Sequence, residues 1–388
     1  MSTTSPELAG FVRAHGAPGL RNHVLAFSTV ALADELTRRT AAGIPGVLPL
    51  LPRFERGLRG EDAAVRDRAI EAVVAHPNTG AALLVTHDRP AAAELAERLA
   101  GLGKPVTVAA LMAHRGVEDA LASLGRELTA LVGEARRVPR TAIALSELTV
   151  ALECGGSDAS SAVCANPAIG RFVDRLVAAG GTAIVSETAE FLGGEALVEA
   201  QSETPEIAAA ILAAMAREER LMAETGEDYR GVNPTRENIE AGLTTLTEKT
   251  MGALSKIGRA RFAGCLSFGE APEEPGLHFM DTPFFSPTSL SGMALGGAQV
   301  ALFAMGVFNP SGMPLVPVLK ICGNPATLAR WGSSIDLDVS ALIAGRQGLD
   351  AAADDIAAAL ARVSGGELTA AERWGEGQLI LPRVTAAL

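Results

Sequence analysis

The first third of the chain alternates short apolar runs with longer segments in which apolar residues recur at helical spacing. The apolar runs predict strands at His23–Thr29, Gly46–Leu51, Ala81–Thr86 and Val106–Ala110. The amphipathic segments predict helices at Ala31–Ala42, Glu61–Ala75, Pro90–Leu102 and Val117–Val132. This alternation is typical of βαβ units. Because the predicted strands are apolar throughout, we expect a parallel sheet with helices on both faces.

A charged segment that contains a proline, Gly133–Arg140, indicates a boundary between two domains. Beyond it the alternation resumes with longer connections. Strands are predicted at Thr141–Glu147, Leu148–Leu152, Thr182–Glu187, Ala263–Phe268, Gln299–Ala304 and Val316–Ile321. Helices are predicted at Pro167–Ala179, Pro205–Glu224, Thr235–Ile257 and Asp350–Val363. The predicted fold class is α/β, with two domains of mainly parallel, helix-covered sheets: an N-terminal α/β domain over residues 1–138 and a C-terminal α/β catalytic domain over residues 139–388.

One long segment, Thr282–Leu319, carries no charged residue and is long enough to cross a bilayer. Its five prolines, the pair Gly296 and Gly297, and the lack of basic flanking residues are not typical of a membrane span. We therefore predict a buried strand with the start of a helix in this segment.

Composition narrows the classes of partner. Of the 388 residues, 48% are hydrophobic and 20% are charged, which provides an ample core and excludes global disorder. The net charge of −12 disfavours nucleic acids and anionic membranes as partners, but leaves a small anionic substrate open. The four cysteines lack CxxC spacing, and the N-terminal residues lack the pattern of a signal peptide. We expect a cytoplasmic protein.

A glycine-rich segment, Glu153–Gly170, joins a predicted strand to a predicted helix. Gly155 and Gly156 allow a tight turn, and Asn166 is placed to cap the helix that Pro167 begins. Free N–H groups at a helix start favour a carboxylate or phosphate. The pattern fits a ligand-binding loop and an ordinary capped connection equally well.

Two further candidates carry charge. Glu187 follows a predicted strand, where α/β sheets place their sites, although it also fits the acidic first turn of a helix. The chain has only four lysines, so Lys249 and Lys256 stand out within one segment. Lys249 beside Glu248 fits an acid/base group, a cation for a substrate carboxylate, or a surface ion pair.

Lys320 lies inside an apolar stretch, where an unpaired ammonium group is costly. We expect it to pair with Asp336 or Asp338, either to fix the packing or to neutralise an anionic intermediate. Asp281 ends a strand-like segment, and His278 fits a core residue as well as a catalytic one. The remaining histidines have no metal-ligand spacing.

Taken in order, these segments resemble one known family. The motifs ECGGSD with ANPAIG, GGTAIVSET, GLTTLTEKT, GLHFMDTP and PVLKICGN, and the aspartates near residue 336, are similar to the large catalytic region of altronate/galactarate dehydratases. The opening motif GFVRAHGAPGLRNHVL and the HPN sequence at His76–Asn78 fit the same family. The resemblance covers essentially the whole chain.

The resemblance implies the dehydration of a hydroxylated sugar acid to a 2-keto acid, with a divalent metal, Fe²⁺ above all, as cofactor. A base removes the proton next to the carboxylate, and a metal or lysine stabilises the enediolate. One branch of the family instead releases sulfite from sulfolactate. The candidate catalytic residues are Glu187, Lys249, Asp281 and Lys320. The candidate substrate-binding residues are Arg13, Arg21, Gly155, Gly156, Ser157, Asp158, Asn166, Thr245 and Asp336, and Cys154 is the candidate metal ligand.

Several departures from the family pattern qualify this picture. Members usually carry a small SAF-type domain before this region, so we expect a separate small subunit to supply it, and we also expect a homo-oligomer. Two family cysteines are absent, one near Arg53–Gly60 and one where His87 and Asp88 fall, and His15 replaces an acidic residue of the opening motif. A family member that has lost catalysis and acts as a binding or partner subunit is therefore the alternative.

Overall fold

The computed structural model describes residues 7–226 and 233–383, and the described chain forms two compact units. Of the described residues, the N-terminal unit contains Ala9–Ile143 and 378–383, and the C-terminal unit contains 7–8, 144–226 and 233–377. The sequence predicted a boundary after residue 138. The division in the structure falls after Ile143, and the chain returns to the N-terminal unit at its end.

The N-terminal unit is built on a four-stranded parallel sheet. The strands in this part of the chain are β1 (Leu8–Gly10), β2 (His23–Ser28), β3 (Val47–Leu50), β4 (Thr79–Thr86), β5 (Val106–Ala110) and β6 (Thr141–Ile143). The order in the main sheet is β3-β2-β4-β5, whereas β1 and β6 form a separate pair. Every strand pair of the main sheet is parallel, which confirms the predicted class.

Four helices cover this sheet: α1 (Asp34–Ala42), α2 (Gly60–Ala75), α3 (Arg89–Leu99) and α4 (Val117–Ala135). Leu36 of α1 and Leu124 and Leu128 of α4 share one core cluster with Val24 of β2 and Leu83 of β4. The apolar stripes of α1 and α4 thus pack on the apolar strands, as the alternating pattern predicted.

The C-terminal unit contains a seven-stranded sheet in the order β13-β12-β11-β7-β8-β10-β9. The strands are β7 (Thr149–Cys154), β8 (Thr182–Val185), β9 (Phe262–Leu266), β10 (Gly276–Met280), β11 (Val300–Met305), β12 (Val318–Cys322) and β13 (Leu337–Asp338). All six neighbouring pairs are parallel. All carboxyl ends therefore lie along one edge of the sheet.

The remaining helices belong to the C-terminal unit. They are α5 (Asn166–Ala178), α6 (Glu195–Gln201), α7 (Pro205–Thr225), α8 (Arg236–Glu240), α9 (Leu246–Leu254), α10 (Ser286–Leu295), α11 (Pro325–Trp331), α12 (Leu349–Ser364) and α13 (Ala370–Trp374). On the surface, Arg171 and Arg175 of α5 form ion pairs with Asp350 and Asp354 of α12.

Two predicted elements differ most from the structure in extent. The predicted strand Thr141–Glu147 ends at Ile143, because Leu145–Glu147 forms a 3-10 turn before the sheet strand β7 begins. The predicted helix Thr235–Ile257 is split into α8 and α9. Gly242 between them has a φ of 101°, which a helix excludes, and the Thr245 side chain then accepts a hydrogen bond from the N–H of Glu248 to begin α9.

The uncharged segment Thr282–Leu319 forms helix α10 followed by strand β11, both buried in the C-terminal unit. The prediction of a strand with part of a helix was confirmed, with the helix first. Among the described residues, no helix has the length and apolar character that a bilayer crossing requires.

Candidate active site

A cavity of about 410 Å³ opens at the carboxyl ends of β7 and β11. These strands are neighbours, but the strand after β7 lies on one side of the pair and the strand after β11 lies on the other. Such a point of divergence opens a crevice beyond the strand ends, where α/β proteins bind ligands. The cavity is lined by Cys154, Gly155, Gly156, Ser157, Glu187, Thr235, Glu237, Asn238, Lys249, Phe284, Phe285, Ser286, Val307, Phe308, Asn309 and Pro310.

The glycine pair after β7 shapes the floor of this pocket. The N–H of Gly155 donates to the carbonyl of Ala304 at 3.1 Å, and the N–H of Val307 donates to the carbonyl of Gly156 at 2.7 Å. Gly156 has a φ of 65°, and a Cβ there would collide with the carbonyl oxygen of Val307. Only glycine fits this close approach of two strand ends.

Glu187 follows β8 and enters the pocket with its side chain only 3% exposed. Its φ of 71° is unusual for a residue with a side chain, and such conformations concentrate at functional sites. Thr282 holds this backbone, because its hydroxyl accepts the N–H of Glu187 at 2.8 Å. Burial, and then the nearby charges of Glu153 and Glu190, raise the pKa of Glu187 well above its ordinary value.

Lys249 projects from α9 into the same pocket and is 6% exposed. Its Nζ donates to Oδ1 of Asn233 at 2.6 Å and lies 4.8 Å from the centre of the Phe284 ring. Asn233 is a neutral partner, so the positive charge of Lys249 remains available for an anion that enters the pocket.

Behind these residues lies a cluster of buried charges. Lys256 forms an ion pair with Glu190, and both side chains are shielded from solvent. Glu153 accepts a hydrogen bond from the Ser289 hydroxyl, which lies 2.5 Å from the Ser186 hydroxyl. Burial, assisted by the negative charge of Glu190, raises the pKa of Glu153 to about 7. Burial lowers the pKa of Lys256, but the charge and hydrogen bond of Glu190, together with Cys154 and Glu153, outweigh that effect and leave the pKa above its ordinary value.

The predicted helix cap at Asn166 was wrong. A π-helical turn, Ser161–Ala165, precedes α5, so that Asn166 lies inside the first turn and not at its cap. Its amide donates to Sγ of Cys154 at 3.3 Å, and its own oxygen is buried and has no partner among the described residues. Asn166 therefore supports the wall of the pocket through Cys154.

The role of Cys154 as a metal ligand stays a prediction. Burial raises the pKa of its thiol to about 11, so a metal that binds there would have to displace the thiol proton. Its hydrogen-bonded neighbours are Ser157 and Asn166. Within residues 7–226 and 233–383, no group of three His, Cys, Asp or Glu side chains is arranged to hold a metal ion. The expectation of Fe²⁺ stays a prediction, and no step below depends on it.

Two other predicted substrate residues perform local structural roles. Asp158 accepts hydrogen bonds from Ser160 and Ser161 at the start of the π-helical turn, and from the Asn324 side chain at 2.6 Å. Thr245 caps α9. Neither residue lines the cavity.

The structure places Asp281, Lys320 and Asp336 outside the cavity lining. Asp281 forms an ion pair with Arg217 of α7. The predicted pairing of Lys320 with Asp336 or Asp338 was wrong, because Lys320 pairs with Glu376 instead. Asp336 accepts the N–H groups of Lys320 and Ala370, so it ties β12 to α13.

Arg13 and Arg21 belong to the N-terminal unit. The guanidinium of Arg13 donates to the carbonyl oxygens of Pro77 and Arg21 and to the side chain of Asn22. Arg21 is buried and donates to the carbonyl of Leu20. These bonds cross-link the backbone of that unit.

Of the predicted residues, the cavity brings together Cys154, Gly155, Gly156, Ser157, Glu187 and Lys249. Sequence reasoning missed the amide and aromatic walls, such as Asn238, Asn309 and Phe284, and the charges behind them, Glu153 and Glu190. The available signal for the buried cluster was Glu153 itself, an acidic residue within an otherwise apolar strand.

A pocket with a buried carboxylate and a buried lysine, at the switch point of a parallel sheet, is the kind of site at which α/β proteins bind small ligands. Comparison with known sequences is more specific. Residues 10–136 match the family model "D-galactarate dehydratase/Altronate hydrolase, second domain", and residues 145–386 match "D-galactarate/Altronate dehydratase, C-terminal". The chain belongs to the altronate/galactarate dehydratase family.

The curated relatives that the chain matches are named as lyases. The chain is 31% identical to (2R)-sulfolactate sulfo-lyase subunit beta of Chromohalobacter salexigens over 97% of both chains. It is 29% identical to altronate dehydratase of Escherichia coli, over 88% of this chain and 70% of the relative. It is 30% identical to galactarate dehydratase (L-threo-forming) of the same organism, over 67% of this chain and 49% of the relative. The family is thus one of lyases.

Proposed function

We propose that the chain is the large subunit of a lyase that eliminates a β-substituent from a 2-hydroxy carboxylate, with (2R)-sulfolactate as the first candidate substrate. The single observation that carries this proposal is the pocket in which Glu187 and Lys249 meet beside the glycine turn. The similarity to a sulfo-lyase subunit over nearly the full length of both chains favours sulfite as the leaving group. It also favours a second subunit as partner.

Lys249 would bind the carboxylate of the substrate. Its ammonium group is buried, its hydrogen-bonded partner is the neutral Asn233, and the cavity offers room for an anion. When the proton on C2 leaves, negative charge develops on this carboxylate as the enediolate forms. A fixed cation in a partly dry pocket stabilises that charge more than water does.

Glu187 in its ionised form would remove the proton from C2. The C3–S bond then breaks, sulfite leaves with the bonding electrons, and a C2=C3 enol remains. The enol takes a proton at C3 and becomes the 2-keto acid. A raised pKa suits this base, because proton abstraction is most efficient when the pKa lies near the working pH.

Dehydration of an aldonate or aldarate is the second candidate, and it is favoured by the named dehydratases in the family. The same base and cation would serve, but the leaving hydroxide needs a proton. The pocket offers hydroxyl and amide groups from Ser157, Thr235 and Asn309 that would bind a polyhydroxylated chain. A catalytically silent subunit is the remaining alternative from the sequence.

The test is a product assay. The purified chain, alone and with a co-expressed small SAF-type subunit, is incubated with Fe²⁺ or Mn²⁺ and with sulfolactate, altronate or galactarate. We expect equal amounts of sulfite and pyruvate from sulfolactate. A 2-keto acid from a sugar acid without sulfite would support dehydration instead. Absence of product and of any ligand-induced thermal shift with all three acids would overturn the lyase proposal.

A further inference from the structure

Two opposite charges are buried completely behind the pocket. The side chains of Lys256 and Glu190 are 0% and 1% exposed, and they contact each other. Removing two ions from water costs several kcal/mol for each ion, and a buried pair usually recovers little more than that cost. Stability alone therefore gives a weak reason for this pair.

The pair lies on the same two segments as the candidate catalytic residues. Glu190 is three residues after Glu187, and its N–H donates to the carbonyl of Glu187 at 2.8 Å. Lys256 lies in the turn Ser255–Ile257 that directly follows α9, the helix of Lys249. Glu187 and Lys249, which line the pocket, are thus each followed along the chain by one member of the buried pair.

Charged residues on several neighbouring segments shift the pKa of Glu187. The negative charges of Glu153 and Glu190 raise its pKa, after burial, and the positive charges of Lys249 and Lys256 lower it. The titratable groups that face Glu187 or share its pocket are Glu153 and Cys154 from β7, Glu190 from its own turn, Glu237 from α8, Lys249 from α9 and Lys256 from the following turn.

The hydrogen bonding of two carboxyl groups in the buried cluster is incomplete among the described residues. One carboxyl oxygen of Glu153 and one of Glu190 are buried without a hydrogen-bond partner among the described residues. Buried oxygens of this kind are rare in folded proteins and call for an explanation. Both oxygens belong to the group of buried charges that acts electrostatically on Glu187.

We propose that Glu190 and Lys256 are positioning residues for Glu187, and that their ion pair sets whether Glu187 carries a proton when the substrate binds. The pair fixes one negative and one positive charge beneath Glu187. Removal of one of these charges without the other changes how readily Glu187 gives up its proton. The consequence for turnover rests on the proposed function, but the protonation of Glu187 does not.

The experiment measures the protonation of Glu187 directly. The full chain is labelled with ¹³C at the glutamate carboxyl carbons, and the Glu187 resonance is assigned by its absence from the Glu187→Gln spectrum. In Glu190→Gln, Lys256 loses its partner and attracts the ionised form of Glu187, so the midpoint falls by about 1 pH unit. In Lys256→Met, that attraction is lost, and the midpoint rises.

Controls separate this role from packing. Asp350→Asn removes an exposed ion pair with Arg171 in the same unit, and should leave the Glu187 midpoint unchanged. Lys256→Arg, which keeps the charge, and the double variant Glu190→Gln/Lys256→Met, which removes both charges, should each return the midpoint close to that of the wild type. A Glu187 midpoint that is the same in the wild type and in Glu190→Gln would overturn the proposal.

Turnover gives an independent reading. With an active substrate, the pH limb of kcat should move with the NMR midpoint in each variant, while KM changes little. Opposite NMR shifts without turnover of any acid would support the positioning role and count against the lyase proposal. Turnover with an unmoved pH limb in both single variants would overturn the positioning role and leave the lyase proposal standing.

Discussion

The two units share one architecture, but they differ in how far the charged residues around their cavities are exposed to solvent. Each has a parallel sheet and a cavity at the carboxyl ends of its central strands. In the N-terminal unit, the cavity of about 240 Å³ is lined by Arg66, Asp67 and Arg98, whose ion pairs are partly exposed to solvent. In the C-terminal unit, the charges of Glu153, Glu187, Glu190, Lys249 and Lys256 are all buried.

This difference shows why one cavity is the candidate for chemistry. Water screens the exposed pairs, so each contributes little energy. Buried charges couple strongly to one another, and strongly shifted pKa values are typical of active sites. The N-terminal cavity is also lined by part of Arg53–Gly60 and by His87 and Asp88, the two places near which the family resemblance expects cysteines.

Among the variants that compare the two units, the largest expected effect is on the pocket cation. Lys249→Met keeps the length of the side chain but removes the charge that would bind the substrate carboxylate. We expect kcat/KM to fall by about 10²-fold, as when an enzyme loses one donor to a developing oxyanion. Steady-state kinetics on the active acid measure this effect. An unchanged kcat/KM would remove Lys249 from the site.

The next effect concerns the floor of the same pocket. Gly156→Ala introduces a Cβ at a positive φ and against the carbonyl oxygen of Val307. We expect the free energy of unfolding to fall by roughly 1–3 kcal/mol, measured by urea denaturation. Gly125→Ala in α4, where no atom lies near the added Cβ, is the matched control and should not destabilise the protein.

The buried carboxylates also predict a dependence of stability on pH. The folded chain keeps the proton of Glu153 up to a pKa of about 7, whereas the ordinary value is 4.5. The folded state therefore binds more protons in this interval, and the free energy of unfolding should decrease as the pH rises from 4.5 to about 7.

Glu153→Gln mimics the protonated form and should flatten this decrease in urea melts across that interval. The N-terminal unit offers the matched comparison, Glu71→Gln, which alters a partly exposed pair with Arg98. That variant should keep the pH dependence of the wild type. An equal slope in the Glu153 and Glu71 variants would contradict the contrast between the units.

The smallest effect is expected in the N-terminal cavity. Arg98→Ala removes partly exposed ion pairs with Asp67 and Glu71. We expect a loss of no more than about 1 kcal/mol in the free energy of unfolding, and an unchanged kcat. A loss of activity similar to that of Lys249→Met would give the N-terminal cavity a catalytic role and break the comparison.

The sequence was sufficient for the parallel sheets and for six of the residues that line the cavity. Apolar runs identify buried strands, and the strand ends locate Gly155, Gly156 and Glu187 at one edge because parallel strands share a direction. Lys249 was found through the scarcity of lysine. These inferences rely on which residue types occur at which positions along the chain, and such patterns reflect local secondary structure.

The remaining features depend on contacts between distant segments. The partner of Lys320 is Glu376, 56 residues away, and no periodicity links the two. Glu190 and Lys256 meet across 66 residues, and Asn166 is displaced from its expected cap by a π-helical turn. Residue spacing gives no information on which distant charges become partners once the sheet order is set.

The most direct test of the central claim follows the hydrogen on C2 of the substrate. Sulfolactate, altronate and galactarate labelled with deuterium at C2 are incubated with the wild type, with Glu187→Gln and, as a matched surface control, with Glu199→Gln. We predict that the wild type and Glu199→Gln release the deuterium to solvent as the 2-keto acid forms, and that Glu187→Gln is slower by about 10³-fold. Product that retains the deuterium, or release by Glu187→Gln at the wild-type rate, would contradict the account.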